Sequence, residues 1–139
     1  MWRDDNLLKL DRQDQLTMYT GLQLCQKFAH TIATNAGWYT DPETGEEIRE
    51  RNFGEVVALM HSELSEALEA HRKGKEFDDK LTDKDAVAVE LADCIIRILD
   101  TASALNLNIA DAYLCKCVYN IHRSDHKLEN RAKKGGKKY

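Results

Sequence analysis

The sequence predicts an all-α fold, a four-to-five-helix bundle that assembles as an oligomer. The 139 residues include one proline and seven glycines, so most of the chain is free to be helical. Apolar residues recur at helical spacing, and no useful length of sequence alternates with the period of two that marks a strand. Residues typical of helix N-termini follow short connections, which favour antiparallel neighbours in a bundle. We therefore expect one helical domain spanning residues 1–139.

The first predicted helix runs from about Asp14 to Ala36 and ends at Gly37, a residue type that often stops helices. The segment 37–47 follows it and carries the only proline and two glycines, so we expect a loop there. The apolar stripe of this helix consists of Leu22, Cys25, Ala29, Ile32 and Ala36.

Three further helices are predicted from pairs of polar residues at cap spacing. The pairs that open the second, third and fourth helices are Asn52 with Glu55, Thr82 with Asp85, and Asn108 with Asp111. The ends expected for these helices are about Arg72 (before Gly74), about Leu105, and Arg123 or beyond.

Two pairs of acidic residues within strongly helical sequence are the most informative feature of the chain. They are Glu63 with Glu66 and Glu90 with Asp93, each in the pattern acid-Leu-x-acid. This spacing projects both carboxylates of a pair from one helix face, so two helices with these faces opposed would gather four carboxylates. Like charges repel and raise one another's pKa, so the cluster needs a neutralising partner, for which hard divalent cations such as Mg²⁺ or Mn²⁺ are the natural candidates. The alternative is an ordinary solvated acidic face.

A projection at about 100° per residue distinguishes the members of each pair. Glu63 and Glu90 fall on the borders of apolar faces, whereas Glu66 and Asp93 fall further round. A carboxylate beside a buried stripe is partly desolvated, which is costly without a partner. The acids without a counterpart in the other helix are expected on the surface, and these are Glu69 and Asp100. The predicted apolar faces are Met60, Leu64, Ala67 and Leu68 on one helix, and Val87, Leu91, Cys94, Ile95 and Ile98 on the other.

Positive charge is concentrated toward the C-terminal part of the sequence. Lys116, Asn120 and Arg123 lie within a narrow arc of the fourth helix and form a candidate phosphate clamp. Surface salt bridges are the alternative interpretation of these three residues. The basic tail at about 129–139 is either a solvated end or a phosphate-binding arm. Its basic residues are Arg131, Lys133, Lys134, Lys137 and Lys138.

Taken together, these motifs resemble the MazG-like branch of the all-α nucleoside triphosphate pyrophosphohydrolases, in its small phage and bacterial form. The two acid pairs, separated by a spacer of 23 residues, look like the family's Glu-x-x-Glu and Glu-x-x-Asp elements. Lys116-Cys-Val-Tyr-Asn120-Ile-His-Arg123 looks like a Lys, Tyr-Asn-x-x-Arg element, and Lys134-Gly-Gly-Lys-Lys-Tyr139 resembles a basic glycine-containing tail. The chain departs from the pattern where residues 124–132 intervene and Lys134 replaces a histidine.

The resemblance implies metal-assisted hydrolysis between the α- and β-phosphates of a nucleoside triphosphate, with a monophosphate and pyrophosphate as products. The four acids would hold two or three Mg²⁺ or Mn²⁺ ions, and Glu63 or Glu66 would accept the proton of the attacking water. Purine deoxynucleotides such as dGTP are favoured on this resemblance alone, and both housecleaning and biosynthetic roles stay open. The residues expected to bind substrate are Lys116, Asn120, Arg123, Lys137 and Lys138. Trp38 is either a base-stacking residue or a core or interface tryptophan.

Composition and charge bound the partners and the location. A net charge of −4 argues against binding nucleic acid, and the apolar runs are too short to span a membrane. The first residues lack the pattern of a signal peptide, so we expect a cytoplasmic protein with four reduced cysteines. Extensive apolar stripes predict a homo-oligomer, a dimer or more readily a tetramer.

Two other functions compete with the enzymatic interpretation. In the first, the chain is a non-enzymatic helical interaction module with an acidic partner-binding face. In the second, His122 and His126 bind zinc, although no HExxH arrangement supports this. A di-iron carboxylate bundle is excluded because its Glu-x-x-His signature is missing from the sequence.

Overall fold

The computed structural model describes residues 11–137, and these are helical with no extended strand. A short 3₁₀ turn at Ser124–His126 interrupts the helical succession. The α-helices in chain order are α1 (Arg12–Asn35), α2 (Phe53–Lys73), α3 (Ala86–Ala104), α4 (Ile109–His122) and α5 (Leu128–Arg131). The predicted all-α fold class is confirmed, and the predicted single domain and oligomeric assembly stay predictions.

The chain divides into two compact units. One unit is Cys25–Leu107, which contains the second half of α1 together with α2 and α3. The other unit joins the described residues 11–24 with residues 108–137, and it contains α4 and α5. The two predicted acid pairs both lie in the first of these units.

In the Cys25–Leu107 unit, α1 ends where its sequence predicts. Gly37 adopts a positive φ of 85°, and the N–H of Trp38 donates to the carbonyl of Ala33 at 3.1 Å. This is the hydrogen-bond pattern of a helix closed by a left-handed glycine. The following loop turns at Asp41, whose carboxylate accepts the N–H groups of Glu43 and Thr44.

Helices α2 and α3 pack against each other as an antiparallel pair. Val56, near the start of α2, shares a cavity with Thr101, near the end of α3. Glu63, at the middle of α2, contacts Arg97, one turn earlier in α3. The buried residues of α2 recur at seven-residue and then shorter helical steps and are mostly small, namely Val56, Glu63, Ala67 and Ala70. Small side chains let the two backbones approach closely.

The predicted apolar faces are only partly buried. Ala67 and Cys94 are buried as expected, but several large aliphatic residues of α2 and α3 are exposed. The buried face has turned toward the small residues, so the large ones flank the contact instead of filling it. The exposed members are Leu64, Leu68, Leu91, Ile95 and Ile98.

The predicted start of α3 at Thr82 is wrong. The N-cap is Asp85, whose carboxylate accepts the N–H of Ala88 at 2.8 Å. Residues before it belong to the interhelical loop, because the N–H of Asp78 donates to the carbonyl of Lys84 at 2.9 Å. An isolated antiparallel bridge between Phe77 and Asp85 closes the same loop. The other two predicted caps, Asn52 and Asn108, are confirmed by hydrogen bonds to the N–H groups of Glu55 and Asp111.

In the other unit, α4 is anchored at its N-terminus and ends earlier than predicted. The Asn108 amide, besides capping α4, donates to the hydroxyl of Tyr19 in α1 at 3.0 Å. Helix α4 ends at His122, because Arg123 adopts an extended backbone conformation. The basic tail is folded as far as Lys137, whose carbonyl accepts a hydrogen bond from the Arg131 Nε at 3.2 Å. No helix in the described range 11–137 is long and apolar enough to cross a membrane.

The corrected cap of α3 is tested by comparing two substitutions. Asp85→Ala should lower the free energy of unfolding by about 1 kcal/mol, because it leaves a helix N-terminal N–H group without an acceptor. Thr82→Ala should change it by less than about 0.5 kcal/mol, as expected for an exposed position outside the cap. Urea denaturation followed by circular dichroism measures both. Equal destabilisation by the two variants would contradict the assignment.

Candidate metal centre

The antiparallel packing of α2 and α3 gathers three of the four predicted acids. One carboxylate oxygen from each of Glu63, Glu90 and Asp93 lies within 4.8 Å of the other two. Their surroundings are graded, since Glu63 is buried, Glu90 is half-buried and Asp93 is exposed. Three carboxylate oxygens this close together match the ligand preference of a hard divalent cation. This donor set is the only group of three or more potential metal ligands within residues 11–137.

Glu66 lies outside the three-carboxylate group but acts on it electrostatically. Burial raises the pKa of Glu90 above its ordinary value, and the negative charges of Glu66, Glu63 and Asp93 raise it further. Of these charges, Glu66 raises the pKa of Glu90 the most, and its side chain is exposed to solvent. The fourth predicted acid is therefore a near neighbour of the cluster on its solvent side.

A guanidinium from α3 is bonded to the buried member of the cluster. The Nε of Arg97 donates a hydrogen bond to Oε1 of Glu63 at 2.7 Å. Glu63 retains only 8% of its side-chain exposure, whereas Arg97 retains 41%. A buried carboxylate is stable only when it is paired, so Arg97 explains how Glu63 can lie on the contact face of α2. Sequence reasoning missed this residue, although it lies one turn after Asp93 and the projection of α3 could have shown it.

The loop between α2 and α3 adds a further charge to the cluster. The carboxylate of Asp78 accepts the N–H groups of Lys80 and Leu81 at 2.9 and 2.7 Å, which lowers its pKa and keeps it ionised. The same carboxylate also contributes to the raised pKa of Glu90. Lys75 forms an ion pair with Asp79 at 2.7 Å. That hydrogen bond raises the pKa of Lys75, to which Glu90 adds a smaller effect.

A cavity of about 340 Å³ adjoins the acids within the same unit. Asp93 and Arg97 line it on α3, and Trp38 and Arg51 line it from the loop before α2. Trp38 is 66% exposed, so it is not a core residue of this unit, and its indole is accessible. The candidate base-stacking residue and one candidate metal ligand therefore share one cavity.

The prediction that Asp100 lies on the surface is wrong. It is buried, and its Oδ1 accepts the hydroxyl of Tyr39 at 2.9 Å and lies 2.8 Å from Nδ1 of His30. Burial raises the pKa of Tyr39 to about 12, and the adjacent carboxylate of Asp100 contributes to the rise. Its partners His30 and Tyr39 lie on α1 and in the loop that follows it, so the sequence around Asp100 does not indicate them. Glu69 is exposed as predicted and pairs with Lys73.

Two residues of the predicted phosphate clamp, Lys116 and Asn120, lie on α4 in the other unit, whereas Arg123 follows the end of this helix in an extended conformation. The prediction that all three lie on the fourth helix is therefore wrong for Arg123. Lys116 is exposed, with its Nζ 4.6 Å from the centre of the Tyr119 ring. The Nε of Arg123 donates to Asp125 at 3.0 Å, so this guanidinium already has a carboxylate partner. That bond raises the pKa of Arg123. The Oδ1 of Asn120 is a buried acceptor without a hydrogen-bond donor.

The remaining predicted site residues lie at the end of the chain. Lys137 is exposed and lines a shallow cavity together with Asp125, His126 and Arg131. Lys138 lies outside the described residues. Neither His122 nor His126 belongs to a cluster of three potential metal ligands between residues 11 and 137, which gives the zinc alternative no support.

The comparisons with known proteins bear on the family assignment. No protein-family model matches the chain, and neither a curated protein nor a solved structure matches it significantly. The resemblance to the MazG-like enzymes therefore rests on the motif residues alone and stays a prediction.

The raised pKa of Glu90 predicts a pH-dependent effect of removing its charge. Because this pKa is higher in the folded protein than in the unfolded chain, protonation favours folding, and that contribution is lost as the pH rises through the folded-state pKa. Glu90→Gln should therefore raise Tm at pH 7 in EDTA, with a gain that shrinks as the pH falls toward about 4. Thermal denaturation across this pH range measures the effect. Glu69→Gln is the matched control, since Glu69 is exposed and paired with Lys73. An equal rise in both variants would show that net charge alone is responsible.

Proposed function

We propose that the protein is a metal-dependent nucleoside triphosphate pyrophosphohydrolase, which releases a monophosphate and pyrophosphate. The observation that carries the proposal is the convergence of Glu63, Glu90 and Asp93 within 4.8 Å. Such a donor set suits Mg²⁺ or Mn²⁺, and these are also the cations that accompany triphosphates. The motif resemblance supplies the reaction, and the cluster supplies a place for it.

Each acid has a distinct role in this proposal. Glu63, Glu90 and Asp93 hold the metal, which when bound neutralises phosphate charge and lowers the pKa of a water ligand. Glu66 is exposed and adjacent to the cluster, whereas Glu63 is bound to Arg97. We therefore assign the acceptance of the water proton to Glu66. The fourth acid of the motif thus acts as a base beside the three ligands.

Substrate contacts are assigned in each unit separately. Next to the acids, Trp38 is placed to stack on the base, because its indole is exposed in the cavity that Asp93 lines. On α4, Asn120 offers an acceptor that has no donor, and Lys116 offers an exposed ammonium group. Arg123 is bonded to Asp125 through Nε and Nη2, so a phosphate would share this guanidinium with a carboxylate. Lys137 is exposed and also available for phosphate.

A homo-oligomer belongs to the same proposal. Leu64, Leu68, Leu91 and Ile95 are 43–58% exposed on α2 and α3, which is unusual for residues beside a helix contact. We assign this surface to a second copy of the chain, in a dimer or tetramer. Light scattering coupled to size-exclusion chromatography measures the assembly state directly.

Product analysis tests the proposed reaction. Purified protein is incubated with each canonical NTP and dNTP in Mg²⁺ or Mn²⁺, and the nucleotides are separated by ion-exchange chromatography. Monophosphate from one or a few substrates, purine deoxynucleotides foremost, is the expected result. Diphosphate and inorganic phosphate would move the cleavage point. No product from any nucleotide would leave the non-enzymatic interaction module as the better description.

Two conservative substitutions test the acids individually. Glu63→Gln and Asp93→Asn should each lower turnover by at least about 100-fold, because each removes a charged ligand without changing side-chain shape. Circular dichroism checks that both variants keep the helical fold, and Glu69→Gln serves as the surface control. Near wild-type activity in either ligand variant would refute the metal assignment.

Metal binding is also expected to appear in thermal stability. A cation that binds only the folded protein stabilises it by about 2.7 kcal/mol at 100 times its dissociation constant. Mn²⁺ should therefore raise Tm of the native chain and fail to do so in Asp93→Asn. An equal rise in the two proteins would place the bound metal elsewhere.

A further inference from the structure

The acidic cluster already contains a positive charge in the form of Arg97. Its Nε donates to Oε1 of Glu63 at 2.7 Å, and Glu63 is the buried member of the cluster. A divalent cation held by the three carboxylates would lie next to this guanidinium. Two positive charges in a partly desolvated place repel strongly, so they compete for the same carboxylate.

The Arg97 side chain can reach a second position without any movement of its backbone. Its side chain is 41% exposed and lines the cavity of about 340 Å³ that Asp93, Trp38 and Arg51 also line. A rotamer change would aim the guanidinium into that space, close to Arg51. The carboxylates of Asp93 and Asp100 line the same cavity, but Asp100 is already bonded to His30 and Tyr39, and a bound metal would neutralise Asp93. The two guanidinium groups would then be left to bind an anion such as phosphate.

The other cation near the cluster is held differently. Lys75 is bound to Asp79 at 2.7 Å, and it raises no comparable conflict because its hydrogen-bond partner is not one of the three clustered acids. Arg49, another arginine of the same unit, pairs with Glu47 at 3.4 Å and is 85% exposed. Arg97 alone of these three binds a candidate ligand directly.

We propose that Arg97 is a metal-displaced counter-ion. It neutralises Glu63 in the metal-free protein, and a bound divalent cation releases its guanidinium into the adjoining cavity, where it binds an anion together with Arg51. Metal binding thereby creates the anion site, so the metal and a phosphate-like ligand bind with positive cooperativity. The inference rests on the proposed metal centre and adds a specific order of binding to it.

The first test follows the Arg97 side chain itself. In a ¹⁵N-labelled protein, the Nε–H resonance of Arg97 is assigned by its loss in Arg97→Lys. Addition of Mg²⁺ should shift this signal and speed its exchange with water, because the hydrogen bond to Glu63 is broken. Mg²⁺ that binds, as judged by a rise in Tm, but leaves this resonance unchanged would overturn the inference while sparing the metal site. No Mg²⁺ or Mn²⁺ binding at all would remove both.

The second test measures competition and cooperativity with substitutions. Arg97→Gln should bind Mn²⁺ about tenfold more tightly than the native chain, because it lacks the competing charge. Arg49→Gln removes the same charge from an exposed ion pair and should leave Mn²⁺ affinity unchanged. Sulfate should raise Tm of the native chain only when Mg²⁺ is present, and not in Arg97→Gln. Sulfate protection that is equal with and without Mg²⁺, or equal in both proteins, would contradict the displacement.

Discussion

The close approach of α2 and α3 is the constraint on which the rest of the candidate site depends. The contact faces carry small residues such as Ala67 and Ala70, so the helices approach until even the Glu63 carboxylate is buried. A carboxylate in such a place requires a positive partner, and Arg97 from the facing helix provides it. Asp93 and Glu90 lie about one and two turns before Arg97 on the same helix, and their carboxylates reach to within 4.8 Å of Glu63. The acid cluster is therefore a consequence of packing as much as of local sequence.

The fold was predictable where the signal is local. The caps at Asn52 and Asn108 and the helix end at Gly74 depend on residues within one turn, and each occurs as expected. The cap at Thr82 failed because Asp78, four residues earlier, organises the loop by accepting two backbone N–H groups. Asp100 failed for a different reason, since its partners His30 and Tyr39 lie 70 and 61 residues away in the sequence. Contacts between residues so far apart in the sequence cannot be predicted from helical periodicity.

The candidate site was predictable in its residue types but not in its electrostatics. The spacing predicted four clustered acids, and antiparallel packing brings three of them together, Glu63, Glu90 and Asp93. The hydrophobic pattern correctly placed Glu63 and Glu90 at the border of an apolar face and left Glu66 and Asp93 exposed. It did not show that Glu63 is buried, because the contact face consists of small residues and the large aliphatic residues lie beside it. Arg97 was missed although it lies one turn after Asp93, because nothing in the sequence of α3 names its partner. Its importance arises only from the residue that faces it.

The loop between α2 and α3 has a consequence for the way this protein can change over evolution. The bridge between Phe77 and Asp85 holds the two ends of the loop together. The next residues inward are also joined, since the N–H of Asp78 donates to the carbonyl of Lys84. Residues inserted between Leu81 and Asp83 would keep both hydrogen bonds of the Asp78 carboxylate and lengthen only the closed end, at a small cost in chain entropy. The positions of the acid pairs of α2 and α3 relative to each other would not change. The length of the spacer is thus free to drift while the chemistry that it separates is held in place.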